Sequence, residues 1–139
     1  MDGREFLPIA RDLSQGATEA YWRTAAGRAY YAVMLEIRDA FIRWGLSAPP
    51  QRSVHISVRQ RLYTSKDGDM KQVAQMLDLL RDLRGMADYE TSSPAKFATN
   101  VEALAAVQRA VDALALFDAI DANTPRRTTI AAEIRAVFP

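Results

Sequence analysis

The stretch Leu80-Arg81-Asp82-Leu83-Arg84-Gly85-Met86-Ala87-Asp88-Tyr89-Glu90 concentrates arginine, carboxylate and phenol. From Arg81 to Tyr89 it covers about two helical turns. Helix residues three or four apart share a face, so Arg81, Arg84 and Asp88 line up there. An arginine row with one acid beside it is either an ion-pair network or an anion site. Arg84 and Asp88 at i,i+4 form a simple structural pair, and spacing alone favours that arrangement. The sharper alternative is phosphate binding by the planar guanidinium, which offers parallel donors.

His55 is the only histidine. Its place in the first turn of a helix would lower its pKa and keep the ring neutral. A neutral imidazole can act as a general base near pH 7. The plainer reading is a partly exposed ring packed beside a loop. Arg28 and Tyr31 lie three residues apart on a long helix, beside its apolar stripe, and with Leu35 and Arg38 they mark a second face. That face is either solvated or the wall of an interior polar site.

The elements that must position these residues are all helical. Phe6, Ile9, Ala10 and Leu13 predict a short first helix that Gly16 interrupts. From Ala17 to Trp44 a stripe of Trp22, Ala26, Ala29, Val33, Ile37, Ala40 and Trp44, widened by Tyr30, Met34 and Phe41, predicts a long central helix. The small residues Ala25, Ala26, Gly27 and Ala29 would let a neighbour approach closely, and Gly45 ends the helix. Pro49-Pro50 makes a loop. Ser53 is then expected to cap a short helix containing Val54, Val58 and Leu62. Asp67 or Asp69 caps a fourth, running from Met70 to Tyr89. Ser93-Pro94 reads as a cap and restart for a fifth helix, from Phe97 to near Ile120. Asn123-Thr124-Pro125 reads as a break, with Thr128 opening a short last helix. Strand alternation, hairpin dipeptides and fixed-period repeats are absent.

The expectation is therefore an all-α, up-and-down bundle of four to five main helices with short additional ones. Residues 1–123 would form the bundle, and 124–139 a short helix or tail packed on it or extending from it. Arg126-Arg127 in that tail reads as solvated. The 139 residues suffice for one domain, and 49% apolar with 25% charged residues is a globular composition. A net charge of +1 gives no global field for nucleic acid or membrane, so any anion site must be local. The absence of cysteine excludes disulfides, thiol catalysis and thiolate metal sites. No Gly-rich phosphate loop, metal-binding helix motif or nucleophile elbow is present. No cofactor and no metal are expected. With neither a signal-peptide layout nor a membrane-spanning run, a cytoplasmic protein is expected.

Three short motifs stand in order: Arg28-Ala29-Tyr30-Tyr31-Ala32-Val33, His55 after a loop, and Leu83-Arg84-Gly85-Met86-Ala87-Asp88-Tyr89. Together they resemble the signatures of the HEPN superfamily, most closely its small stand-alone members with R-x-Y-Y-A, a helix-starting histidine and R-x-x-A-D-Y. The resemblance runs from about Phe6 to Leu116. It implies a four- to five-helix bundle, often a homodimer with its active face at the interface. It also implies metal-independent endoribonuclease action on RNA in toxin–antitoxin or other defence systems. Some members instead bind nucleotides without cleaving, and stand-alone members often pair with a minimal nucleotidyltransferase antitoxin. Catalytic members carry R-x4-6-H. Arg84 matches the arginine, but the histidine positions hold Tyr89, Glu90 and Thr91. On this resemblance Arg84 holds phosphate, His55 or Tyr89 moves protons, and Arg28, Tyr31 and Asp88 assist in binding.

Overall fold

The computed structural model describes residues 1–92 and 95–139. Six α-helices follow one another: α1 (Phe6–Ser14), α2 (Glu19–Arg43), α3 (Val54–Thr64), α4 (Gly68–Tyr89), α5 (Val101–Ala122) and α6 (Thr124–Val137). Short 3-10 turns lie at Gly3–Glu5, Gln51–Ser53 and Ala95–Phe97. The described residues contain no strand, and the architecture is the expected all-α bundle. Among them no helix is long and apolar enough to cross a membrane.

α2 is the spine. Thr18 caps its start, accepting a hydrogen bond from the Tyr21 amide. Its 25 residues span ~37 Å at 1.5 Å each. It packs against α1, α4 and α5 and is buried around most of its circumference. The alanines at 25, 26, 29, 32 and 40 let those helices close in, while Val33, Ile37 and Phe41 fill the space between. At its far end Gly45 takes φ +82, a conformation open to glycine at little cost. The Gly45 amide donates to Ile42 O and the Leu46 amide to Phe41 O, completing a Schellman closure with Leu46 buried.

Several boundaries differ from the sequence expectations, each for a local reason. Ser53 precedes α3 but makes no side-chain capping bond, because a 3-10 turn already leads into the helix. Asp67, by contrast, caps α4 as expected, accepting from the amides of Asp69 and Met70. Phe97 lies in a 3-10 turn rather than in α5, which begins at Val101. The expected restart at Ser93-Pro94 lies outside the described residues. Asn123-Thr124-Pro125 starts a helix instead of merely breaking one. The Asn123 side chain accepts from the Arg126 amide, and Pro125 stands in the first turn, where no intrahelical N–H is needed. α6 thus opens four residues earlier than Thr128, and its Ile130 and Ile134 belong to the main core. The pair at 126 and 127 is not solvated: Arg126 pairs with Asp67 and Asp69, tying α6 to the cap of α4, and Arg127 with Asp121.

One buried arginine ties α2 to α4. Arg23 donates from Nη1 to Met86 O and Ala87 O, each at 3.0 Å, and from Nη2 to Glu90 O at 3.3 Å. Its Nε donates to the Glu19 carboxylate at 2.8 Å, and its Cζ sits 4.7 Å from the centre of the Phe97 ring. The last carbonyls of a helix lack intrahelical donors, so Arg23 supplies one to Ala87 O and Glu90 O, and a second to Met86 O, which also accepts from the Glu90 amide. Replacing Arg23 by Met, which keeps bulk and removes the donors, should lower stability by about 3 kcal/mol. Urea unfolding measures this directly; a loss under about 1 kcal/mol would mean that those carbonyls find other donors.

Candidate functional site

The end of α4, the first half of α2 and the start of α3 meet around two tyrosines. Tyr30 is 1% exposed, and its hydroxyl lies 2.6 Å from His55 Nδ1. The Tyr30 and His55 rings stack with centroids 5.6 Å apart, and Tyr31 meets the same imidazole edge-on at 6.0 Å. The Arg84 guanidinium lies against the same two phenols, its Cζ 5.8 Å from the Tyr30 centroid and 5.4 Å from that of Tyr31. The imidazole and the guanidinium thus border one aromatic pair from two helices. Each ring face offers partial negative charge to the cation.

Arg84 is only partly satisfied. Its Nε lies 3.3 Å from Asp88 Oδ2, but the alignment is too poor for a hydrogen bond, and this buried nitrogen has no such partner among the described residues. The Arg84 side chain is 21% exposed and that of Asp88 44%. An ion pair this exposed contributes well under 1 kcal/mol, so it holds the guanidinium only weakly. The i,i+4 pair raised by the spacing is therefore present but loose, with Nε left without a hydrogen bond among the described residues.

Electrostatics fix the protonation states. Burial pushes the Tyr30 phenol up to about 12, so it stays neutral at every physiological pH. Burial, then the charges of Arg84 and Arg81, hold the His55 pKa below its ordinary value. The ring is therefore uncharged near pH 7. Tyr30 O–H has no other acceptor among the described residues, which assigns its proton to His55 Nδ1. That assignment leaves the imidazole proton on Nε2, available as a donor. The linkage sign follows: the His55 contribution to stability is fully present above pH ~6.5 and is lost as pH falls through the lowered folded value.

The remaining expected residues fall in two groups. Tyr31 and Asp88 join His55 and Arg84. Arg28 packs its guanidinium on the Phe6 ring of α1, with Cζ 5.0 Å from the centroid. Tyr89 is 77% exposed and lies about 140° around α4 from Arg84. It shares with Arg84, Arg81 and Met86 a shallow surface hollow of about 530 Å³. Among the described residues no cluster of three carboxylate or imidazole groups is placed to hold a metal ion.

Two contributors were not singled out from the sequence. Tyr30 sat within the apolar stripe, yet a buried tyrosine needs a partner for its hydroxyl, and that need was the available signal. Arg23 falls on the same stripe, three residues before Ala26 and seven before Tyr30. A cation at that register marks either a buried network or a break in the stripe.

Arg84→Ala should raise the His55 pKa part of the way to 6.5, since repulsion from Arg84 ranks after burial among its causes. An NMR titration of the lone imidazole reads the change; a pKa unmoved or lowered would separate the two groups electrostatically. A scan against family models and searches of curated proteins and of solved structures returned no match.

Proposed function

We propose that this chain is a HEPN-like bundle of toxin–antitoxin or defence type that acts on RNA by gripping backbone phosphate at Arg84. One observation carries the reading. A guanidinium held, among the described residues, by two phenol faces and a loose, exposed carboxylate stands beside a neutral imidazole with a donor to offer. Phosphate entering there would displace Asp88 and take donors from Arg84 and from His55 Nε2–H. A charge-assisted contact of that kind is roughly twice as strong as a neutral one. Arg81, exposed one turn earlier on α4, adds positive charge to the approach. A homodimer that brought two Arg84 faces together would double the grip into a cleft for a strand.

Metal-independent cleavage is the stronger form of this reading. It requires His55 to carry its proton on Nδ1, donating to Tyr30 O, so that Nε2 can take the 2′-hydroxyl proton. The 2′-oxygen would then attack phosphorus, with Arg84 stabilising the added charge on the phosphate oxygens. The bond to the 5′-oxygen would break, leaving a 2′,3′-cyclic phosphate. A second proton donor is needed for that leaving oxygen, and the phenol that shares the Arg84 hollow, Tyr89, is 77% exposed and has no hydrogen bond among the described residues to hold it in place. This favours binding without cleavage, either of RNA or of a nucleotide, with a minimal nucleotidyltransferase as the natural partner.

Wild type, Arg84→Ala and His55→Ala incubated with total RNA in EDTA separate these forms. Phosphate binding requires Arg84→Ala to weaken retention of single-stranded RNA by at least about tenfold, or about 1.4 kcal/mol. Cleavage adds cyclic-phosphate ends that vanish in His55→Ala. RNA neither retained nor cut by wild type would end the proposal.

A further inference from the structure

α3 has a second polar side chain of note, away from the Tyr30 contact. Arg61 is 3% exposed, the most buried arginine among the described residues. Its Nη1 donates to Ser47 O at 2.7 Å and its Nη2 to Ser47 Oγ at 3.2 Å. Its Nε is buried without a hydrogen-bond partner. The Phe138 ring lies 5.8 Å from its Cζ. Among the described residues no carboxylate pairs with it, whereas Arg23, Arg84 and Arg126 each stand beside an acid. Burial alone acts on its pKa, pushing it down with no acid to oppose the shift.

A buried cation without a counter-ion is costly, and arginine is rarely this buried unless paired. Arg61 is not sealed off, however. It lines a surface hollow of about 530 Å³ between the loop after α2, the first turns of α3 and the last residues of the chain. Ser53 and Ser57 supply hydroxyls there, and Ser53 spends none of its capacity on a capping bond. Ile56, Val137 and Phe138 supply apolar walls. The hollow borders the start of α3, whose 11 residues present the positive end of the helix to it.

From the uncompensated Arg61 charge, the free Ser53 hydroxyl and the apolar walls, we infer that this hollow binds a small organic monocarboxylate. One uncompensated cation calls for one negative charge. The walls call for a carbon body rather than a bare inorganic ion. The carboxylate would sit against the Arg61 guanidinium and the serine hydroxyls, with its tail between Ile56 and Phe138. This site is independent of Arg84: His55 meets α2 through Tyr30, while Arg61 meets the loop at Ser47.

Backbone-amide NMR titrations of the full chain with hexanoate, acetate and inorganic phosphate test the inference. Hexanoate should give saturable shifts in amides 47–61 and at 137 and 138, with affinity at least about tenfold above that of acetate or phosphate. Arg61→Gln should weaken hexanoate by about tenfold or more. That change also removes the contacts to Ser47 and can unfold the loop. Ile56→Glu therefore serves as the second variant, because residue 56 is 52% exposed and tolerates change, yet its carboxylate would fill the hollow. It should cost a similar factor without altering the rest of the spectrum, while Arg84→Ala leaves hexanoate binding unchanged. Phosphate binding as tightly as hexanoate, shifts centred on Arg84, affinity untouched by Ile56→Glu, or no saturation by tens of millimolar would each overturn the inference.

Discussion

The carbonyls at the end of a helix must find donors, and in this bundle those of α4 find them on the central helix. Arg23 reaches from α2 to three carbonyls at the close of α4 while Glu19 holds its Nε. A charged donor buried among carbonyls fixes position closely, because any displacement leaves both charge and carbonyls unsatisfied. The turn so fixed is the one that carries Arg84 and Asp88. The loosely paired arginine therefore stands on a firmly held backbone, and the functional reading depends on that separation of duties.

The polar site follows from three helices arriving with complementary needs. Tyr30 is buried and must place its hydroxyl proton; His55 supplies the acceptor. The imidazole, flanked by Arg84 and Arg81, is discouraged from taking a charge of its own. What results is a cation beside a neutral donor, on aromatic faces that tolerate both. Such a surface suits a ligand that brings the missing negative charge. It suits proton transfer less well, since the tautomer assigned from the Tyr30 contact already holds its proton on Nε2.

Much of this was legible in the chain. The stripe from Trp22 to Phe41 announced the central helix because apolar residues recur along one broad face of it over about six turns. The i,i+4 spacing of Arg84 and Asp88 announced a pair. The first-turn position of His55 pointed to the direction of its pKa shift but not to the cause, which is burial and then the charges of Arg84 and Arg81. The misreadings share a cause. Asn123 to Pro125 looked like a terminator because the same residues cap and open a helix, and only the packing of Ile130 and Ile134 decides between the two. Arg126 looked solvated because its partners, Asp67 and Asp69, lie almost sixty positions earlier. For Arg28, periodicity placed the residue on a face beside the stripe but did not name Phe6, the ring it packs on. Long-range partners are set by tertiary packing, which local spacing does not encode.

The central claim is that a neutral His55, tied to Tyr30 through Nδ1, stands with Arg84 as a phosphate grip. With one histidine in the chain, a long-range proton–nitrogen spectrum of ring-labelled protein reports on that residue without ambiguity. At pH 7 it should show the uncharged tautomer with the proton on Nε2, and both ring nitrogens should shift on addition of an uncleavable 2′-O-methyl RNA. A charged ring, a proton on Nδ1, or nitrogens indifferent to saturating RNA would contradict the account.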